Sequence, residues 1–150
     1  MQIPVWRNKL HDSWIQIVSP FVMNNLSYAS IYHYYHREKF LKYALFSHQF
    51  CLESNSLMST NINLVISAGS VTGYFGKKQI RANDIHPTRL SSTEKKQIRR
   101  RALLAKFSQI ESLQNVLLCT HNSILKDRNT GMIDYGLMEI RSIIQAGRMD

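Results

Sequence analysis

The chain has 150 residues, the length of one compact domain, and 44% of them are hydrophobic, as in globular proteins. It carries 19 Lys and Arg against 10 Asp and Glu, and this net charge of +9 indicates a polyanionic neighbour: nucleic acid, a phosphorylated ligand or an acidic assembly. No window approaches 18 consecutive apolar residues, which excludes a membrane-spanning helix and predicts no membrane partner.

The two cysteines, Cys51 and Cys119, lie far apart and form no C-x-x-C pattern. We therefore expect no disulfide framework and a reducing, intracellular compartment, either the cytoplasm or a nucleoprotein or viral assembly. The segment 1–19 includes several charged residues and no continuous apolar core, so we expect neither a signal peptide nor secretion.

The first half of the chain has short elements. Loose alternation at 14–18 predicts a strand, and 20–25 follows as a turn. The aromatic-rich segment 30–46 predicts a helix, while 62–66 is typical of a strand or another buried segment. Three glycines predict a loop over 68–76.

The second half has the helical patterns. Ser91 and Glu94 form the S-x-x-E pattern of a capping box, and apolar residues at three- and four-residue spacing follow it. A joint is predicted at Glu111-Ser112, and a final helix over 132–145 with Gly147 as its stop. The predicted fold class is mainly α with a small β part, in one compact domain over residues 1–150.

Two ordered stretches of sequence carry a resemblance to a known family. The first comprises Pro20-Phe21, Tyr28, Ser30, His33, Tyr34, Tyr35, Lys39 and Phe40. The second comprises Arg101 to Gln109, Leu113, Leu117-Leu118, Thr120 and Gly136 to Arg141. In order and rough spacing these stretches resemble the motifs of the NADAR (YbiA-like) family of N-glycosidases, and together they span about four-fifths of the chain.

The resemblance implies a small domain that cleaves N-glycosidic bonds of ribose, with no cofactor. Family members act on ADP-ribose attached to nucleobases or on amino-ribosyl intermediates of the riboflavin pathway. Lys39 matches the family's helix lysine and is the candidate nucleophile, with His33 to orient substrate or shuttle a proton, and Glu38 beside them. The candidate ligand-binding residues are Tyr32, Tyr35, Lys106 and Gln109.

Several family positions differ here. Tyr32 stands where the family has glutamate, and a phenol cannot replace a carboxylate at neutral pH. Glu38 is adjacent to Lys39, but neighbouring helix positions point about 100° apart. The family's Trp-Gly loop before the last helix is reduced to residues 126–130.

Two functional hypotheses follow from these differences. One is a pseudoenzyme that keeps the fold as a nucleotide- or ADP-ribose-binding module, or as a structural subunit of a nucleic-acid-rich assembly. The other is a divergent N-glycosidase whose carboxylate comes from Glu38, Asp84 or Asp134. The pseudoenzyme is favoured, because the loss of several polar positions at once is hard to compensate.

A basic run predicts contacts with phosphates or nucleic acid; its members are Lys95, Lys96, Arg99, Arg100 and Arg101. Consecutive arginines on a helix fan through about 200° and cannot share one face. They also lie near a helix N-terminus, where positive charge is mildly unfavourable. This placement indicates that an external anion binds there. The alternative is a solvated helix face. His33 and His36 form an H-x-x-H pair without a further ligand set, so we expect no metal.

Overall fold

The computed structural model describes residues 5–149, and it is mainly α with a small β part, as predicted. The helices are α1 (Val5–Leu10), α2 (Ile31–Glu38), α3 (Ala44–His48), α4 (Ile62–Ala68), α5 (Ser92–Gln109), α6 (Glu111–Leu118) and α7 (Tyr135–Met149). Two antiparallel hairpins pair β1 (Phe21–Met23) with β2 (Leu26–Tyr28) and β3 (Tyr74–Phe75) with β4 (Lys78–Gln79). Two 3₁₀ turns, Leu52–Ser54 and Leu57–Thr60, connect α3 to α4.

Helix α5 is central to the main core, where it contacts α2, α6, α7 and strand β1. Its buried apolar residues are Ile98, Ala102, Leu103 and Phe107. A second, smaller core forms between α2, α3 and α4, where the rings of Phe40, Phe46 and Phe50 pack at centroid distances of 4.9 to 5.8 Å. Burial of these side chains provides the main driving force for folding.

The predicted capping box at the start of α5 is confirmed. The Ser91 hydroxyl accepts a hydrogen bond from the Glu94 amide at 3.1 Å, and the Ser91 amide donates to the Glu94 carboxylate at 3.2 Å. Each bond satisfies a backbone amide that would otherwise have no partner at the start of the helix.

Replacement of Ser91 by alanine is expected to lower the free energy of unfolding by about 1 kcal/mol, because the Glu94 amide loses its acceptor. Urea denaturation measures the change. Ser92→Ala is the matched control, since Ser92 is the first helical residue and is also exposed. Equal losses in the two variants would contradict a specific capping contribution.

Several local predictions are wrong or incomplete. Residues 14–18 form no strand, and the Gln16 amide instead donates to the Ala29 carbonyl at 2.7 Å. The predicted turn over 20–25 contains strand β1, and the chain reverses at Asn24 and Asn25, both with positive φ. Asparagine tolerates this conformation better than most residues, which explains the tight hairpin.

The segment 62–66 belongs to helix α4. The Asn61 side chain accepts hydrogen bonds from the amides of Asn63 and Leu64, at 3.0 and 3.2 Å, and so caps the helix. This short, mostly apolar segment matched both a strand and a buried helix, and the strand alternative is wrong. The predicted helix 30–46 is two helices, because α2 ends at Glu38 and α3 begins at Ala44.

The boundaries of the last helices also differ from prediction. The joint between α5 and α6 is Ile110, whose backbone is extended. Helix α7 begins at Tyr135, where the Asp134 carboxylate accepts from the Leu137 amide at 3.0 Å. It continues through Gly147 to Met149, so the predicted stop at Gly147 is wrong. A glycine stop usually requires a left-handed backbone just after the helix, and Gly147 has no such φ.

Candidate functional site

A groove of about 940 Å³ lies between α1, α6, the start of α7 and the loop 119–134. We call it the α1–α6 groove. The apolar side chains of its lining include Trp6, Leu10, Val116, Ile124 and Leu125. The polar ones include His11, Asp12, Arg99, Asp127, Arg128 and Asp134. A concave surface of this size, apolar with a few convergent polar groups, is the usual form of a small-molecule site.

Arg99 of α5 binds two carboxylates of the groove, those of Asp12 and Asp134. Its Nε and Nη2 donate to the two Asp12 oxygens at 2.7 and 3.1 Å, and its Nη1 and Nη2 donate to the Asp134 oxygens at 2.8 Å each. Burial alone would lower the pKa of Arg99, but hydrogen bonds to Asp134 and Asp12 raise it above its ordinary value. Burial would raise the pKa of Asp134, but Arg99 lowers it. Arg99 and Asp134 therefore both stay charged near neutral pH.

The rim of the groove has a second polar set around His11. Its Nδ1 shares a hydrogen bond with the Ser13 hydroxyl at 2.8 Å, and its Nε2 is 3.9 Å from an Asp127 oxygen. Burial and the nearby Arg128 lower the pKa of His11, so the ring is neutral at pH 7. Arg128 donates to the Asn8 side chain and to the Ser13 hydroxyl.

Asp127 shapes the loop that closes this side. One of its oxygens accepts from the amides of Asn129 and Thr130, at 2.8 and 3.0 Å. Burial would raise the pKa of Asp127, but these two amides, with the nearby His11 and Arg99, lower it. Its other oxygen faces His11, so this carboxylate keeps part of its hydrogen-bonding capacity.

Lys106 lies beneath the groove, where only 2% of the residue is exposed. Its Nζ donates to the His11 carbonyl at 3.3 Å and lies 5.0 Å from the centre of the Phe107 ring. Burial lowers the pKa of Lys106 to about 8, against partial opposition from Asp12. The contacts of this amine are therefore with the protein interior, below the residues that line the groove.

Of the other predicted ligand-binding residues, Tyr32 is the one next to the groove. Its amide donates to the Asp12 carbonyl at 3.3 Å, and its ring meets the His11 ring edge-on at 6.1 Å. Burial, with the charge of Asp12, raises the pKa of Tyr32. Gln109 is elsewhere: its amide group exchanges hydrogen bonds of 2.6 and 2.9 Å with the Val22 backbone and so secures strand β1.

The candidate nucleophile Lys39 lies at the other end of α2, about 10 Å along the axis from Tyr32. Its Nζ is 4.9 Å from the centre of the Tyr35 ring, and the side chain is half-buried. Burial lowers the pKa of Lys39, as do the positive charges of Lys95 and Arg81. A lowered pKa is what a nucleophilic lysine needs, and burial and neighbouring cations are two recognised causes of it.

His33 has the contacts of a core residue. It is fully buried, with its Nδ1 2.7 Å from the Ser30 hydroxyl and its Nε2 2.9 Å from the Met58 carbonyl oxygen. Burial lowers the pKa of His33 to about 4, so the ring is neutral at physiological pH. Both ring nitrogens are therefore occupied, and the side chain joins α2 to the turn before α4.

The carboxylates suggested as replacements for the missing glutamate are scattered. Glu38 lies 4.0 Å from its neighbour Arg37, and Asp84 is exposed on the loop after β4. Asp134 is bound to Arg99 in the groove. The structure therefore does not bring any of the three together with both Lys39 and His33 in one site.

The basic run divides into two groups, because helix geometry sends its members in different directions. Arg99 points inward to its carboxylates, and Arg100 donates to Glu139 of α7 at 2.8 Å. Lys95, Lys96 and Arg101 are exposed and form no ion pair within the described residues, while Arg100 is exposed but paired with Glu139. The solvent-facing part of the run is therefore smaller than the sequence suggests.

Sequence reasoning missed four groove residues: His11, Asp12, Asp127 and Arg128. A local signal existed for one of them, since Asp127 and Asn129 before a Thr-Gly pair are typical of a side-chain-stabilised turn. The partnership of Asp12 with Arg99 spans 87 positions and has no local signal.

Comparison with protein-family models, with curated proteins and with solved structures finds no match to this chain. Within residues 5–149, no three His, Cys, Asp or Glu side chains are arranged to hold a metal ion. Every helix in the described part of the chain is too short or too polar to cross a lipid bilayer.

Proposed function

We propose that this chain is a NADAR-like domain that binds a nucleotide of the ADP-ribose class in the α1–α6 groove without cleaving it. The resemblance of its motifs to that family supplies the ligand class. The groove supports this location for the ligand, since its volume of about 940 Å³ lies in the range of small-molecule pockets.

The lining of the groove offers a partner for each part of such a ligand. Its apolar side chains, including Trp6 and Val116, suit the face of an adenine ring. Arg128 suits the diphosphate, because it contacts only neutral oxygens of Asn8 and Ser13 and forms no ion pair within the described residues. The Asp127 oxygen that faces His11 suits ribose hydroxyls.

The engagement of Asp12 and Asp134 by Arg99 carries the proposal of binding without cleavage. The remaining groove carboxylate, Asp127, has one oxygen occupied by two loop amides and is assigned to the ribose hydroxyls. Glycoside cleavage needs a carboxylate that can stabilise an oxocarbenium-like sugar or activate water. Asp12 and Asp134 have both oxygens hydrogen-bonded to the guanidinium. Their negative charge is already neutralised, and neither oxygen pair is available as a base.

Isothermal titration calorimetry with ADP-ribose tests the proposal. The unmodified protein is expected to bind, and Arg128→Ala to bind about tenfold more weakly, the usual cost of one charge-assisted hydrogen bond. Arg89→Ala is the control, because Arg89 is exposed and lies outside the groove. ADP-ribosylated nucleic acid incubated with the protein should release no base. Absence of ADP-ribose binding, or equal weakening in both variants, would refute the assignment of the groove.

The second candidate function is an active N-glycosidase, and one observation favours it. The lowered pKa of Lys39 increases the fraction of neutral amine, the form that reacts with a sugar aldehyde. Base release from ADP-ribosylated nucleic acid that disappears in Lys39→Ala would establish this activity. Lys42→Ala is the matched control, since Lys42 is an exposed lysine three positions away.

A further inference from the structure

The hairpin β3–β4 exposes two aromatic rings far from the α1–α6 groove. Tyr74 is 42% exposed and Phe75 is 48% exposed. Successive strand residues face opposite sides, so each face of the hairpin carries one ring. Phe75 pairs across the strands with Lys78, and Tyr74 pairs with Gln79. An aromatic ring beside a polar or cationic partner is therefore presented on both faces.

The hairpin is held firmly at its base. The buried Arg81 guanidinium donates to the carbonyls of Ala68 and Ser70 at 2.7 Å each and to that of Val71 at 3.1 Å. The Gly73 carbonyl accepts from the amides of Ile80 and Arg81. These bonds fix both ends of the hairpin on the last turn of α4. The rings are consequently presented by an ordered element, which reduces the entropy lost on binding.

The surroundings of the hairpin are positively charged. No Asp or Glu occurs between Glu53 and Asp84 in the sequence. Lys77 and Lys78 are exposed on the hairpin. The Arg81 guanidinium at the base of the hairpin lies 5.7 Å from the centre of the ring of Phe40, the residue next to Lys39. Among residues 5–149, none of the four lysines, Lys39, Lys77, Lys78 and Lys95, forms an ion pair.

We propose that the β3–β4 hairpin, with Lys39 and Lys95, forms a binding surface for single-stranded nucleic acid. Tyr74 and Phe75 stack on unpaired bases, and the lysines contact successive phosphates. Stacking of this kind tolerates any base sequence, because every base has a π-face. Duplex nucleic acid offers no free base face to these rings and is the weaker ligand.

Charge favours nucleic acid over a lipid surface as the partner. The turn between the two strands is Gly76 and Lys77, so a hydrophilic tip would enter a bilayer first. Further lysines lie near the base of the hairpin, at Lys39, and at the start of α5, at Lys95, and several separate cations of this kind suit the successive phosphates of a nucleic-acid backbone. This proposal is independent of the nucleotide groove, which lies at the opposite end of α2.

Fluorescence anisotropy with a labelled oligodeoxythymidylate of about 12 nucleotides tests the proposal on the full chain. We expect the double variant Tyr74→Ala/Phe75→Ala to bind at least tenfold more weakly. We expect Lys78→Ala and Lys39→Ala each to reduce the slope of log affinity against log salt by about 0.7, the value for one phosphate contact on a single strand. The matched control is Leu45→Ala/Leu57→Ala, which removes two side chains that are 89% and 75% exposed elsewhere.

Thermal denaturation shows that each variant is folded before binding is compared. An equal loss in the leucine control, or an unchanged affinity in the aromatic variant, would overturn the proposal. Tighter binding to a duplex of the same length would also overturn it. Ring-dependent binding to vesicles of phosphatidylcholine and phosphatidylserine, without binding to the oligonucleotide, would assign the surface to lipid instead.

Discussion

Replacement of Arg99 by methionine is expected to lower the free energy of unfolding by about 3 kcal/mol. Its side chain is 27% exposed, and those of Asp12 and Asp134 are 15% and 11% exposed. Removal of the guanidinium leaves two largely buried carboxylates close together without a counter-charge. Urea denaturation at neutral pH measures the loss, and a fall of roughly 10 °C in melting temperature should accompany it.

Arg100→Met is the matched control for this effect. Arg100 is the next residue of α5, and its bond to Glu139 has the same 2.8 Å length. Both of those side chains are nearly half exposed, so this pair contributes less than about 1 kcal/mol. Similar losses in the two variants would contradict a special role for the buried arrangement.

The effect of Arg99→Met depends on pH in a direction that the structure determines. Arg99 lowers the pKa of Asp134 below its ordinary 3.8 in the folded protein. As the pH falls, Asp134 therefore binds a proton at a higher pH in the unfolded chain than in the folded protein. The contribution is complete above about pH 4 and is lost as the pH falls below that, so wild type and variant should converge in acid.

Replacement of Lys106 by methionine is expected to have the opposite sign and to stabilise the protein by about 2 kcal/mol at pH 7. The folded protein lowers the pKa of Lys106 from 10.5 to about 8 because the amine is buried. A charged amine is thus less stable in the folded protein than in the unfolded chain. Methionine fills a similar volume without that cost, less the bond to the His11 carbonyl.

The same linkage predicts a rise in wild-type stability with alkaline pH. Between pH 8 and 10.5 the unfolded chain holds a proton on Lys106 that the folded protein has released, so the free energy of unfolding increases with pH. Chemical denaturation at pH 7.5, 8.5 and 9.5 measures this rise, which should be smaller in Lys106→Met. A remainder is expected, because the pKa of Lys39 is also lowered in the folded protein. Lys96→Met is the control, since Lys96 is an exposed lysine of the same helix. If the rise persists undiminished in Lys106→Met, its cause lies in another group.

The ligand-binding prediction for Lys106 can be separated from this stability effect. If Lys106 only supports the floor of the α1–α6 groove, the methionine variant should keep its affinity for ADP-ribose while it gains stability. A gain in stability together with a loss of affinity indicates that the buried amine serves the ligand, as the resemblance implies.

The start of α5 and the mainly α class were predictable from the sequence because they depend on interactions within a few residues. The Ser91–Glu94 capping box and the apolar spacing after it contain all the information that the helix needs. The divergence of the three arginines was predictable for the same reason, since helix geometry alone sends Arg99 and Arg100 to different partners.

The state of residues 62–66 and the position of the α1–α6 groove depended on tertiary structure. An apolar run is compatible with a strand or a helix until its neighbours determine which face is buried. The groove joins Asp12 to Arg99 across 87 positions and Arg99 to Asp134 across 35. Charges so far apart in sequence have no mutual pattern that local spacing could reveal. The sequence by itself therefore determined the mainly α class, the start of α5 and the excess of positive charge, while folding decided which of those charges are neutralised inside and which remain at the surface.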